Sequence, residues 1–363
     1  MKHSVAVIGA GVFGCEIALE LTKIGFIVDL YERNNSILNE ATAKSQNRLH
    51  LGLHYPRDLQ TAVQSRIGFE TFSKRFPSAV RKDFPNIYCV AREGSQVNLS
   101  EFELFASNAE IAIKKIDMEI MKDMGMDTNK ISSSYRCNEG VIDISLLRNL
   151  LIQDLESASV QVFLATEILR CNRVQNHWEL FSNQGNLKKY NFVIRATYAA
   201  DQIQSNFAFG NIRNIEYHQT MIAILDSDTP SFGITVVDGD FLTILPLGFS
   251  NRFLAYAPSI SVLRSHTGPC PPTNWGIPKQ EEQGQFWSKL NTRIQEFMPN
   301  WNYEFSGEVL STIRSIDPNV KKTDRRTSSI SETAPNFYDV WSGKIDHCVD
   351  ISKDLAKAIG AVA

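Results

Sequence analysis

The sequence predicts an α/β protein in which a parallel-sheet domain is interleaved with an α+β domain carrying an antiparallel sheet. Two observations carry that prediction. Residues 4–31 alternate short apolar runs with one amphipathic segment around a glycine turn, the pattern of a βαβ unit. Residues 215–256 instead hold β-rich runs separated by the turns Asp226-Ser227-Asp228, Asp238-Gly239-Asp240 and Gly248-Phe249-Ser250-Asn251, as hairpins do. At 363 residues the chain is long enough for two domains.

The opening unit reads strand, glycine turn, helix, strand. Ser4–Ile8 is apolar and β-branched, and it runs into Gly9-Ala10-Gly11-Val12-Phe13-Gly14. Residues 15–24 are amphipathic, Gly25 ends them, residues 26–31 form the second strand, and Glu32 with Arg33 follows. In a Rossmann-type dinucleotide site the three glycines serve different ends. Gly9 permits the tight turn, Gly11 lets a diphosphate approach the backbone, and Gly14 lets helix and strand pack closely. The helix N-terminus then offers unpaired N–H groups to the anion, and the Glu32 carboxylate accepts from ribose hydroxyls. A carboxylate at that place disfavours a 2′-phosphate, so NADP fits poorly.

Composition narrows the classes of function. Lys and Arg number 37 against 40 Asp and Glu, a net charge of −3, so the chain offers a nucleic acid no cationic excess. The longest apolar run, residues 5–15, is too short to cross about 30 Å of hydrocarbon, and no transmembrane segment is expected. Its internal glycines and the lack of a small-residue cleavage site argue against a signal peptide. The six cysteines form no Cys-x-x-Cys pair, so a reducing, cytoplasmic setting is expected rather than a disulfide framework. The seven histidines lack metal-ligand spacing, and no metal is expected. A small charged metabolite remains as a partner class.

Beyond the glycine turn the spacing continues as Gly14-x3-Ala18-x2-Leu21-x3-Gly25-x2-Val28-x3-Glu32. This resembles the extended fingerprint of FAD-binding oxidoreductases. The polar stretch 41–55 resembles the loop that wraps the diphosphate and reaches the flavin in the D-amino-acid-oxidase-like superfamily. That superfamily includes glycine and sarcosine oxidases and the L-2-hydroxyglutarate and glycerol-3-phosphate dehydrogenases. Asn47, His50, Gly52, Leu53 and Tyr55 fit the Asn-Ser-Gly-x-x-His-x-Gly-x-Tyr-Tyr run of the 2-hydroxyglutarate dehydrogenases. Weaker matches follow in order. Glu139-Gly140-Val141-Ile142-Asp143 resembles the entry to a helix at Ile144–Ser157, and Thr166-Glu167-Ile168 the turn that holds adenine. Residues 191–200 resemble the late strand and Ala-Thr-Gly turn, with Tyr198 in place of the usual glycine. Ile313-Arg314-Ser315, Asp324-Arg325-Arg326 and Val340-Trp341-Ser342-Gly343-Lys344-Ile345 resemble the C-terminal strand pair and glycine turn against the flavin ring, before a closing helix at 352–362.

The resemblance implies FAD as cofactor. It also implies a Rossmann-type FAD-binding domain made of 1–68, 136–210 and 308–363, with 69–135 and 211–307 as the substrate domain. Thr42, Ala43, Lys44, Ser45, Gln46, Asn47, Arg48, Leu49, Ile168, Ala196, Thr197, Tyr198, Gly343, Lys344 and Ile345 then join the glycine turn, Glu32 and Arg33 around the cofactor. In the substrate domain, residues 99–126 read as one long helix, with Ser100 and Glu103 as a capping box and Phe102, Phe105, Ala109, Ile113 and Ile116 at helical spacing. Met118, Met121, Met124 and Met126 are expected to fill its interface. Strands are expected at 215–225, Gly233–Val237, 241–246 and Arg252–Tyr256, then a proline-rich loop at 267–278 and a helix at 281–297.

Oxidation by a flavin removes a hydride from a substrate C–H bond, and the attached nitrogen or oxygen must lose a proton. A neutral amine needs no strong base, whereas an alcohol benefits from one. His50 and His54 would share one face of a strand and are the candidate acid–base pair; satisfied structural histidines are the other reading, and covalent flavin attachment at His50 is open. Arg314 is the candidate anchor for a substrate carboxylate, its fork suited to bidentate binding, with a salt bridge as the alternative. Lys344 would lie beside the flavin, using either its charge or only its backbone N–H. Lys321, Lys322, Arg325 and Arg326 meet a phosphorylated or acidic substrate or form a solvated loop. Tyr217, Tyr256 and Trp275 touch substrate or pack in the core.

The chain therefore reads as an FAD-dependent oxidoreductase acting on a CH–NH or CH–OH bond of a small anionic metabolite by hydride transfer to flavin N5, with an unknown electron acceptor. Two alternatives stay open: a flavin-containing binding or assembly protein with structural FAD, and an NAD-dependent dehydrogenase.

Overall fold

A computed structural model describes residues 3–199, 203–206, 215–318, 323 and 325–361. The fold is mixed α/β with antiparallel sheets. Its first sheet has the strand order Ser329–Ala334, Phe337–Trp341, Phe192–Arg195, Ser4–Ile8, Ile27–Tyr31, Gln161–Phe163. All neighbours are parallel except the pair Ser329–Ala334 and Phe337–Trp341. Ser4–Ile8 is apolar throughout because both its faces are covered. Val5 and Val7 pack with the helices Val12–Lys23, Ile144–Ser157 and Cys348–Gly360. Ala6 and Ile8 meet Trp178 and Leu180 of a small second sheet built from Gly185–Tyr190, His177–Ser182, Ile168–Val174 and Gln204–Ser205. Asp143 caps Ile144–Ser157 by accepting from the Leu146 N–H, which is why the helix starts where the Glu-Gly-x-x-Asp run ends.

The third sheet is nearly all antiparallel. It runs Val262–Gly268, Ile215–Asp226, Arg252–Tyr256, Thr243–Pro246, Gly233–Val237, Asn86–Ala91, Ile131–Cys137, Lys114–Ile116, and Glu304–Ile316 pairs along Ile215–Asp226. Helix Gln280–Phe297 covers it with Phe286, Leu290, Ile294 and Phe297, one stripe at helical spacing. Glu304–Ile316 bears on the segment boundaries. Residues 308–316, expected with the cofactor-binding segments, are bonded by their backbone to Ile215–Asp226, a strand expected with the other segments.

The single helix expected over 99–126 is three elements: helix Leu99–Asn108, strand Lys114–Ile116 and helix Met118–Asp123. The capping box is Asn98 with Glu101, not Ser100 with Glu103. The first helix ends because Glu110 takes a left-handed φ of 54° and the Ile111 N–H returns to the Ala106 carbonyl at 2.9 Å. The methionines do pack together, with Met121 and Met126 buried and Met118 and Met124 against the same core. Helix Leu59–Arg75 escapes sequence reading because its buried positions include Thr61, Ala62, Ser65 and Gly68, which leave no apolar stripe.

Candidate active site

A cavity of about 760 Å³ is lined at one end by the glycine turn and at the other by the antiparallel sheet. A Cβ on Gly14 would stand 1.8 Å from the Gly9 carbonyl oxygen, and one on Gly9, whose φ is 98°, would stand 2.7 Å from that of Ala196. These two glycines enforce packing and turn. A Cβ on Gly11 would meet only Thr42 Oγ1 at 3.5 Å, so Gly11 opens onto the cavity. Glu32 is buried, and its carboxylate accepts from Ala10 N at 2.9 Å and from Asn34 N and Nδ2 at 2.9 and 2.7 Å.

Val12, Phe13, Arg33, Thr42, Lys44, Ser45, Gln46, Asn47, Arg48, Ile168, Ala196, Thr197, Tyr198, Gly343, Lys344 and Ile345 share the same wall. Four residues expected there do not reach it. Ala10 points its N–H at Glu32, Gly14 is pressed on Gly9, and Leu49 is fully buried in the core. Ala43 belongs to a turn closed by its N–H on the Glu40 carbonyl. Arg48 lines the cavity, but its guanidinium is held by Tyr88 Oη at 2.9 Å and by Thr235 Oγ1. Tyr198 has a φ of 55°, a backbone conformation that explains glycine as the usual residue there.

The far end is walled by His50, His54, Tyr55, Thr220, Ile222, Tyr256, Trp275, Thr312, Ile313, Arg314 and Arg326. His50 and His54 are not on a strand. Pairing stops after Arg48–Leu49, and the chain turns at Gly52, whose φ is 106° and whose Cα side presses on Ala62. What holds this loop is Glu139. Its Oε1 accepts from the Leu51 N–H at 2.8 Å and its Oε2 from Tyr88 Oη at 2.9 Å. Burial, reinforced by the Lys344 and Arg48 charges, pushes both imidazoles well below the usual histidine range, so both are neutral. Their Nδ1 atoms are buried with no hydrogen-bond partner among the described residues.

Lys344 Nζ sits 4.4 Å from the centre of the Tyr55 ring. Burial lowers its pKa while Asp346 acts to raise it. Arg314 Nη2 lies 3.3 Å from His218 Nδ1. Tyr217 is a core residue with its hydroxyl on the Pro269 carbonyl at 3.1 Å, whereas Tyr256 and Trp275 line the cavity. Arg325 is exposed and off the wall; Lys321, Lys322 and Asp324 lie outside the described residues. The sequence reading missed His218, Thr220, Ile222 and Thr312. Strand alternation was the available signal, since Glu216, His218, Thr220 and Ile222 are every second residue of Ile215–Asp226.

The model of the FAD dependent oxidoreductase family matches residues 4–338. The chain belongs to this family. An FAD-dependent monooxygenase of Aspergillus flavus is 25% identical over 385 aligned positions, covering 99% of this chain and 86% of that one. An FAD-dependent monooxygenase of Fusarium mangiferae is 37% identical over 110 residues, 30% of each chain. Among solved structures, glycine oxidase from Geobacillus kaustophilus has a TM-score of 0.76 at 14% identity, covering 99% of this chain and 94% of that one. L-α-glycerophosphate oxidase from Mycoplasma pneumoniae has a TM-score of 0.74 at 15% identity, with coverages of 98% and 94%.

FAD is the cofactor of this oxidoreductase, and the residues present suit it. Gly11 leaves room for a diphosphate, Glu32 can receive ribose hydroxyls, and the buried Gln46 Nε2, His50 Nδ1 and His54 Nδ1 on the wall lack protein partners among the described residues. Among the described residues no helix is long and apolar enough to cross a membrane.

Proposed function

We propose that this FAD-dependent oxidoreductase oxidises a CH–OH or CH–NH bond of a small anionic metabolite, with a hydroxy acid favoured. The observation that carries the reading is the placement of His50 and His54, each with a buried Nδ1 that has no hydrogen-bond partner among the described residues, on the same cavity wall as Arg314. Bound FAD supplies the hydride acceptor at N5. Arg314 offers its fork to a substrate carboxylate and so orients the neighbouring C–H bond. His50 or His54 takes the hydroxyl proton at Nδ1, which only an uncharged imidazole can accept. Lys344, whose charge burial disfavours and Asp346 supports, stands at the turn at Gly343. The glycine turn, Glu32 and the wall residues of 42–48 hold the cofactor.

The division into an FAD-binding part (1–68, 136–210, 308–363) and an interleaved substrate part belongs to the same proposal, with the last boundary moved past Ile316 because of the strand pairing. So do a reducing, cytoplasmic setting and the absence of a nucleic-acid partner. The name monooxygenase carried by the fungal relatives makes dioxygen the electron acceptor to test first.

The test is anaerobic addition of small hydroxy acids and amines to the FAD-loaded protein, followed by flavin absorbance. Bleaching by a hydroxy acid, slowed about 100-fold in His50→Gln or His54→Gln, is the expected result. Bleaching by amines alone, at rates indifferent to both substitutions, would overturn the hydroxy-acid reading.

A further inference from the structure

We propose that His218 is a positioning residue for the substrate anion: fixed by Glu216, it holds the Arg314 guanidinium in the orientation that receives a carboxylate. The inference rests on the role given to Arg314 above and adds the device that sets its geometry. Strands Ile215–Asp226 and Glu304–Ile316 are antiparallel, and His218 stands directly opposite Arg314 in their register. Glu216 is two residues before His218 and therefore on the same face. His218 Nε2 lies 2.6 Å from Glu216 Oε1, and His218 Nδ1 lies 3.3 Å from Arg314 Nη2.

The donors and acceptors of these contacts follow from chemistry alone. A guanidinium has only N–H groups to give, so His218 Nδ1 accepts. The imidazole proton is then on Nε2, where the Glu216 carboxylate receives it. His218 is thus a neutral ring of defined tautomer, buried to 6% exposure, and it is not on the cavity wall. On its other side the Arg314 guanidinium carbon is 5.7 Å from the centre of the Tyr256 ring. Its Nε is buried without a hydrogen-bond partner among the described residues. One edge of the fork is therefore tied back to the sheet through His218, and Arg314 reaches the cavity with N–H groups still to be satisfied.

Carboxylates and their amides test the arrangement by perturbing the flavin absorbance of the FAD-loaded protein. The probes are glycolate and benzoate against glycolamide and benzamide. Four proteins are compared: wild type, Arg314→Met, His218→Leu and His218→Asn. Asparagine places Oδ1 where Nδ1 stood, so it retains the acceptor. The expected result is carboxylate binding about ten-fold weaker in His218→Leu, the value of one hydrogen bond to a charged group. Amide binding should be unchanged, and most of the loss should be recovered in His218→Asn. Carboxylate binding lost in Arg314→Met but unaltered in His218→Leu would overturn the role of His218 and leave that of Arg314 standing. Equal weakening of acids and amides in His218→Leu, or no recovery in His218→Asn, would also overturn it, since a purely structural histidine behaves that way. No carboxylate binding by the wild type, or full binding by Arg314→Met, would remove the anchor itself and the inference with it.

Discussion

Replacing Tyr88 by phenylalanine removes one oxygen from the buried centre of the molecule, and the consequence can be worked out bond by bond. Tyr88 Oη accepts from Arg48 Nη1 at 2.9 Å and donates to Glu139 Oε2 at 2.9 Å. Arg48 is 8% exposed and Glu139 1%, so water is poorly placed to replace the lost oxygen. The ring itself keeps its stacking on Phe102, at 6.3 Å between centres, which confines the change to hydrogen bonding. A hydrogen bond to a charged group is worth about 1.5–3 kcal/mol, so losing two costs roughly 3–6 kcal/mol before relaxation. At about 2 °C per kcal/mol for a chain of this size, Tm should fall by roughly 6–12 °C. Tyr135→Phe is the control: its hydroxyl donates to the exposed Glu103, which water can also satisfy, and the loss should be no more than about 1.5 kcal/mol. Thermal melts of the FAD-loaded proteins, read by far-ultraviolet circular dichroism and flavin fluorescence, give both numbers. A Tyr88→Phe melt within a degree of wild type, or no lower than that of Tyr135→Phe, would show that the buried hydroxyl holds Arg48 and Glu139 no more firmly than an exposed one would. Glu139 also anchors the Leu51 N–H between His50 and His54, the proposed acid–base pair, so substrate-driven bleaching should slow in the same variant.

Two further outcomes follow from other parts of the fold. Gly14→Ala should weaken FAD binding at least ten-fold and cost about 1–3 kcal/mol, because its Cβ would stand 1.8 Å from the Gly9 oxygen; Gly284→Ala, in helix Gln280–Phe297 with nothing within 4 Å, should stabilise by about 0.5–1 kcal/mol. Fluorescence titration with FAD and melts of both variants measure this. His347, whose ring meets Ser328 Oγ at 2.8 Å and Ser65 Oγ at 3.3 Å, is pushed by burial down to about 3. The unfolded chain then binds a proton that the native one refuses, so this residue withdraws about 1.4 kcal/mol of stability per pH unit as pH falls from about 6.5 towards 3. Denaturant melts at pH 7.5 and 5.5 should show a shallower loss for His347→Asn than for wild type.

The βαβ opening is legible in sequence because its constraints are local: three glycines, a helix and a carboxylate, each acting within about thirty residues of the others. The same holds for Ile144–Ser157, whose Asp143 cap sits beside it. The helix expected through 99–126 fails for the opposite reason. Ile113 and Ile116 keep helical spacing, but the chain reverses at Glu110 without a glycine to mark the turn. Helix Leu59–Arg75 is hidden because Gly68 packs on the backbone of Asp346, a partner far along the chain. At the active site, residue types were legible and their engagement was not. Arg48 looks like a cofactor ligand until Tyr88 and Thr235 are seen to hold it, and His218 looks like any strand histidine until Arg314 is found opposite.

Strand Ile215–Asp226 brings Thr220 and Ile222 to the cavity wall, with His218 on the same face, and turns core residues such as Met221 and Ala223 the other way. Substitution on the first face can retune what the enzyme accepts, one side chain at a time. Loss or gain of a single residue would instead exchange the two faces, setting residues such as Met221 where Thr220 and Ile222 stand and breaking the register that puts His218 opposite Arg314. Divergence among descendants of this chain is therefore confined here to changes of letter; insertions and deletions should accumulate outside the strand, in its flanking loops.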